Sequence, residues 1–183
     1  MPGVMPLLPM NSWRVTKYDP AFRDECGAYL RGEWTSLSDV GKPFDGVELT
    51  FEEYRKIEDA YVSTALSFVS EARLDALTVT YLETYGASEA RVEDLRGIDF
   101  DPKVARQGML LSGGSLGDVC RLVLREILWC KLESESGFYI HFGYDYYMYI
   151  GSPAPSEESI AYGRQQGLFI EEMESSYLDA GEA

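Results

Sequence analysis

The stretch Gly137–Ile150, GFYIHFGYDYYMYI, constrains this chain more than any other. Phe138, Ile140 and Phe142 alternate with Tyr139 and His141, so apolar side chains fall on one face and polar-tipped rings on the other. β-branched and aromatic residues at a period of two read as strand. Gly143 breaks the run, and Tyr144-Asp145 can turn it before Tyr146–Ile150 resumes. The stretch is therefore predicted to be a hairpin or a bulged pair of strands. It holds the only histidine and five of the thirteen tyrosines, so the chain's polar-tipped rings are concentrated in one element.

A helix must cover such a sheet, and the strongest helical signal begins at Thr50. Thr50-Phe51-Glu52-Glu53 is a capping box: the Thr hydroxyl accepts the N3 amide hydrogen and Glu53 reaches back. Acidic residues in the first turn also suit the helix dipole. Tyr54, Ile57, Tyr61, Ala65, Phe68 and Val69 recur at three- and four-residue steps, giving one buried face that ends near Glu71–Arg73. A second helix is predicted from Ser115-Leu116-Gly117-Asp118 to about Glu126, with Leu116, Val119, Cys120, Val123, Leu124 and Ile127 as its stripe. A short third helix fits Ser156–Gln165, capped by Ser156.

Further strands are predicted at Ser12–Tyr18, Tyr29–Leu37 (interrupted at Gly32), Leu74–Thr84, Met109–Leu111, Ile127–Glu133 and Leu168–Glu171. Asp19-Pro20, Ser38–Gly46 and Asp101-Pro102 carry turn chemistry, and Ser88–Leu95 a short helix. The pattern is α+β: a largely antiparallel sheet with two main helices packed on one face. One domain over residues 12–178 accommodates all of it. Residues 1–11 read as a disordered leader or a start-codon artefact, with Met5 or Met10 as the true start. The apolar run MPGVMPLLPM carries three prolines and no basic flank, unlike a signal peptide. Tyr177–Ala183 is expected to fray, with 179–183 as the tail.

With 31 Asp+Glu against 16 Lys+Arg, the formal net charge is −15, which repels phosphate backbones and favours a basic protein partner. No nucleic acid and no membrane is expected as a partner; no run approaches the length of a span. Cys26, Cys120 and Cys130 are odd in number and lack metal-ligand spacing, which fits reduced thiols in the cytoplasm. Neither a metal nor a cofactor is expected. Leu111–Gly114 reads LSGG, yet no G-x-x-x-x-G-K-[ST] phosphate loop accompanies it, and a loop before a helix explains it better.

His141 with Asp145 is the arrangement closest to catalysis, since a carboxylate can orient a histidine. It lacks a nucleophile motif, and Cys130 beside Trp129 is expected to be packed rather than activated. Arg125 and Glu126 are candidates for a buried ion pair. Tyr144, Tyr147 and Tyr149 offer rigid contact area with polar tips, suited to the centre of an interface. Glu171, Glu172 and Glu174 offer an acidic rim for a basic partner.

Trp13–Lys42 (WRVTKYDPAFRDECGAYLRGEWTSLSDVGK), Trp129-Cys130-Lys131-Leu132, His141–Ile150 and Gly167–Tyr177 (GLFIEEMESSY) resemble a family of small, acidic, uncharacterised bacterial proteins. The resemblance covers most of the chain outside Gly86–Gly114 and brings no assigned catalytic residues. By analogy of class it implies an immunity protein that neutralises a basic toxin domain. Two readings follow: a cytosolic binding protein of that kind, or a small enzyme whose site includes His141, Asp145 and nearby tyrosines.

Overall fold

A computed structural model describes residues 10–178. The strands are β1 (Asn11–Thr16), β2 (Pro43–Phe44), β3 (Val47–Glu48), β4 (Leu77–Glu83), β5 (Leu110–Leu111), β6 (Trp129–Glu133), β7 (Tyr139–Phe142), β8 (Met148–Ser152) and β9 (Phe169–Glu172). The helices are α1 (Phe51–Glu71), α2 (Gly113–Leu124) and α3 (Glu157–Gln165). Seven strands form an antiparallel sheet in the order β5-β4-β6-β7-β8-β1-β9, while β2 and β3 make a separate small hairpin. The architecture is α+β, as the sequence pattern predicts.

The focal stretch does form a hairpin. His141 stands opposite Tyr149 and Ile140 opposite Ile150, so the alternation carries straight into the register. Ile140, Phe142, Met148 and Ile150 point into the core with Leu77, Val79, Cys130, Leu132 and Val15. Above them α1 supplies Tyr54, Tyr61, Ala65 and Phe68, and packs on both α2 and α3. Trp13 of β1 meets Phe68 with ring centroids 5.3 Å apart.

The capping box at Thr50 is present. Thr50 Oγ1 accepts the Glu53 amide hydrogen at 3.2 Å, and the Glu53 carboxylate accepts from the Thr50 amide at 3.1 Å. At the other end of α1, Glu71 accepts from the amides of Glu158 and Ser159, at 3.3 and 2.8 Å. It thereby caps α3, a task expected of Ser156. Ser156 occupies the cap position in a left-handed conformation (φ 54°) and makes no capping bond through its side chain.

Several expectations are corrected. Tyr29–Leu37 is not a strand. Asp39 captures the amides of Thr35 and Ser36, at 2.8 and 3.3 Å, and only an isolated bridge joins Arg23 to Tyr29. Side-chain acceptors here outcompete a ladder that has no neighbouring edge. α2 starts three residues earlier than the Ser115 box suggests, behind Ser112, whose amide donates to Ser115 Oγ at 3.2 Å. Asp118 is free to hold the Asp99–Phe100 loop instead, accepting both amides at 3.0 Å. Ser88–Leu95 shrinks to a single 3-10 turn over Val92–Leu95. Asn11, placed in the leader by its sequence, already pairs with Ser152 in the sheet. Tyr177 is held in place, as set out below. The expectations for residues 1–9 and 179–183 lie outside the described residues.

Candidate functional site

Among the described residues no α-helix covers the second face of the sheet. Alternation puts Thr80, Lys131, Glu133, Tyr139, His141 and Tyr149 there, and the segment after β9 runs back across them. His141 is fully buried. Its Nε2 donates to Glu133 Oε1 at 3.0 Å, and its Nδ1 accepts from Ser175 Oγ at 2.9 Å. Ser175 Oγ in turn accepts the Tyr177 amide hydrogen at 3.2 Å. Thr80 donates to the second Glu133 oxygen at 2.7 Å. Burial lowers the His141 pKa below the ordinary 6.5, against the pull of Glu133, so the ring is neutral and its two nitrogens are fully used. The hydrogen bond from His141 is the main cause that holds the Glu133 carboxyl below its ordinary 4.5.

Tyr139 stacks on the imidazole with centroids 4.3 Å apart. Space for that stack comes from Gly151, directly opposite Tyr139. A Cβ there would lie 2.0 Å from the tyrosine ring. Lys131, also buried, donates to the Tyr177 carbonyl and lies 4.3 Å from the Tyr81 ring centroid. Ser175, His141 and Glu133 thus lie in a serine–histidine–carboxylate line. Chemically that is the order of an acyl-transfer relay. The serine is only 5% exposed and the histidine 0%, so substrate has no path to either while the C-terminal segment is in place.

His141 and Asp145 are not paired. Asp145 sits in the β7–β8 turn with φ 56°, and its carbonyl accepts from the Tyr18 hydroxyl at 2.6 Å. Glu133 and Ser175 hold the histidine instead. The signal for Glu133 was its position beside His141 across two strands, visible only once the register of β6 and β7 is known. Cys130 is packed, and burial pushes its thiol well above its ordinary range. Burial likewise pushes Cys120 up to about 12. Among the described residues no group of three or more His, Cys, Asp or Glu is arranged to hold a metal.

The second feature is a groove of about 460 Å³ between β4, the end of α2 and the β7–β8 turn. Its walls are aromatic: Tyr81, Tyr85, Trp129, Tyr144 and Tyr177. Among the described residues Tyr81, Tyr85 and Tyr144 are the three exposed tyrosines, at 44%, 63% and 81%, and all three share this groove. Glu83 and Glu126 line it as well, with no lysine or arginine among the lining residues. Burial raises the Tyr85 hydroxyl pKa, helped by Glu126, Glu83 and Tyr144, which marks how closely these groups gather. Tyr81 and Glu126 both have left-handed backbones, φ 51° and 59°. For Tyr81 this coincides with a bulge in β4, where the register to β6 shifts between Thr80 and Glu83.

The groove takes one of the three tyrosines proposed for an interface. Tyr144 lies in it. Tyr149 sits beside Tyr177, 6.2 Å between centroids, and Tyr147 stacks on Tyr18 at 5.5 Å, its hydroxyl accepting from Arg23 at 2.8 Å. Glu171 is engaged by Arg14 at 2.9 Å within the sheet. Glu172 and Glu174 are exposed and border a different hollow, with Met10, Met173 and Ile160. The expected Arg125–Glu126 ion pair is absent. Arg125 instead makes two bonds to fully buried Glu58, at 2.6 and 2.7 Å, joined by Arg121 at 2.9 Å. A wider, open hollow of about 800 Å³ along α1, bordered by Thr50, Lys56, Asp59 and Gln166, has no aromatic wall to grip a ligand.

No family model, no curated protein and no solved structure matches this chain.

Proposed function

We propose that this chain is a protein-binding module for a basic partner, most concretely an immunity protein that neutralises a basic bacterial toxin domain. One observation carries the reading: the three exposed tyrosines converge on a single groove that also holds two carboxylates. Tyrosine and tryptophan are favoured anchors at interface centres, and an exposed aromatic cluster of this kind marks an interaction site. The net charge of −15 adds long-range attraction for a basic surface. Tyr144 is the anchor at the rim of the groove; Glu172 and Glu174, exposed elsewhere, contribute to steering rather than to the contact itself.

A small enzyme is the second reading, and the Ser175–His141–Glu133 line is what favours it. The sealed position of that line weighs against it.

Coexpression with toxin domains encoded beside the gene distinguishes the two. Survival that is lost with Tyr85→Ala/Tyr144→Ala and kept with His141→Gln supports the binding module. No rescue by any neighbour, with small-molecule turnover abolished by Ser175→Ala or His141→Gln, overturns it.

A further inference from the structure

The geometry points to an arginine side chain of the partner as the occupant of the Tyr81–Tyr85–Tyr144–Trp129 groove, with Glu83 and Glu126 as its counter-ions. This rests on the binding reading above and names the group recognised. Aromatic faces attract cations through their quadrupole. A guanidinium is planar, so it stacks on rings while its fork of N–H donors meets carboxylates; an ammonium is more strongly hydrated and does neither as well. The fold already uses this contact internally: Arg31 lies 4.3 Å from the Phe22 centroid and Arg96 lies 4.6 Å from that of Phe51. In the groove the lining supplies both halves of such a site, rings and carboxylates, without a basic side chain of its own.

Two further features fit a clamp. Tyr81 and Glu126 are both held in left-handed conformations, which cost energy for residues with side chains and persist where the surroundings enforce them, notably at ligand clamps. At about 460 Å³ the groove exceeds a bare guanidinium and suits a whole arginine side chain with its flanking backbone. Lys131 already sits against Tyr81 from the sheet, so the rings left to discriminate are those of Tyr85, Tyr144 and Trp129.

The test uses the full chain and three blocked tripeptides, acetyl-Gly-X-Gly-amide with X as arginine, lysine or citrulline, titrated by NMR. Citrulline keeps the shape of arginine and removes its charge. The expected result is saturable shifts for the arginine peptide at residues 81–85, 126–129 and 143–144, weaker binding of lysine, and none of citrulline. Glu83→Gln/Glu126→Gln is expected to weaken the arginine peptide by about tenfold, as loss of charge-assisted bonds does. The control Glu25→Gln/Glu48→Gln makes the same change in net charge at two exposed carboxylates outside the groove and should leave binding unchanged. Equal binding of citrulline and arginine, shifts scattered over the acidic surface, or equal weakening by the control pair would overturn the inference. Rescue from a toxin that survives Glu83→Gln/Glu126→Gln would also overturn it, while leaving the partner reading standing. Arginine binding as described, with no neighbour-encoded protein bound, would uphold the clamp and remove the immunity reading.

Discussion

Folding places the His141 ring where it cannot hold a proton at its ordinary pKa of 6.5. In the unfolded chain the ring titrates near that value. Below it the unfolded state binds more protons than the folded state, so stability falls as pH drops through about 6.5. Glu133 acts in the same direction lower down: its folded pKa is depressed, so its contribution is lost as pH falls below 4.5. Lys131, on the same face, adds to the depression of the histidine. The melting temperature is therefore expected to decline from pH 7 to pH 5. His141→Gln should flatten that decline while leaving binding largely intact, as followed by thermal melts across the pH series. A slope unchanged by the substitution would place the acid sensitivity elsewhere.

At the scale of elements, what could be read from sequence was whatever depends on neighbours within one helix or strand. The box Thr50–Glu53 needs four consecutive residues, and it is in place. Thr50→Ala is expected to cost roughly 0.5–2 kcal/mol of stability by denaturant titration, as loss of an N-cap does. The alternation in Gly137–Ile150 likewise narrows the stretch to a hairpin or a bulged pair of strands, and the hairpin is what forms. What escaped was contact between distant segments. Glu58 is the instructive case: a charge at the i+4 position from Tyr54, on the buried face of α1, facing Arg121 in the last turn of α2 and Arg125 at its C-cap. The i, i+4 arginine pair was visible, but its acceptor lay 63 and 67 residues away. Glu58→Ala leaves buried Arg125 without its counter-ion, while Arg121 keeps Asp59 at 2.6 Å, and should cost about 3–5 kcal/mol, the range for breaking a buried ion pair. A loss under about 1 kcal/mol would mean that water replaces the carboxylate. The groove was hidden for the same reason. Tyr81, Tyr85, Trp129 and Tyr144 come from three segments of the chain, and only the fold brings them together.

For the molecule as a whole, the proposed binding of a basic partner would divide its labour between charge and ring geometry. Exposed charges act beyond contact but are screened over about 8 Å at physiological ionic strength. The association rate with a basic partner is expected to fall as salt rises, and Glu172→Gln/Glu174→Gln should slow association with little change in dissociation. Tyr144→Ala should instead speed dissociation, because anchors govern residence time. Surface plasmon resonance across a salt series separates the two. Dissociation that responds to the glutamates as strongly as to the tyrosine would contradict this division.

The position of β1 has a consequence for the birth of the protein on the ribosome. The first strand of the sheet lies between β8 and β9, with Asn11 opposite Ser152 and Trp13 opposite Glu172. Strand β1 therefore leaves the ribosome long before either neighbour exists, and both its edges stay open while the chain is made. Such distant pairing is slow to form, and an unpaired strand edge is a template for association with other chains. Nascent chains stalled before β8 should leave β1 open to protease, and protection should arrive only after β9 has emerged from the exit tunnel.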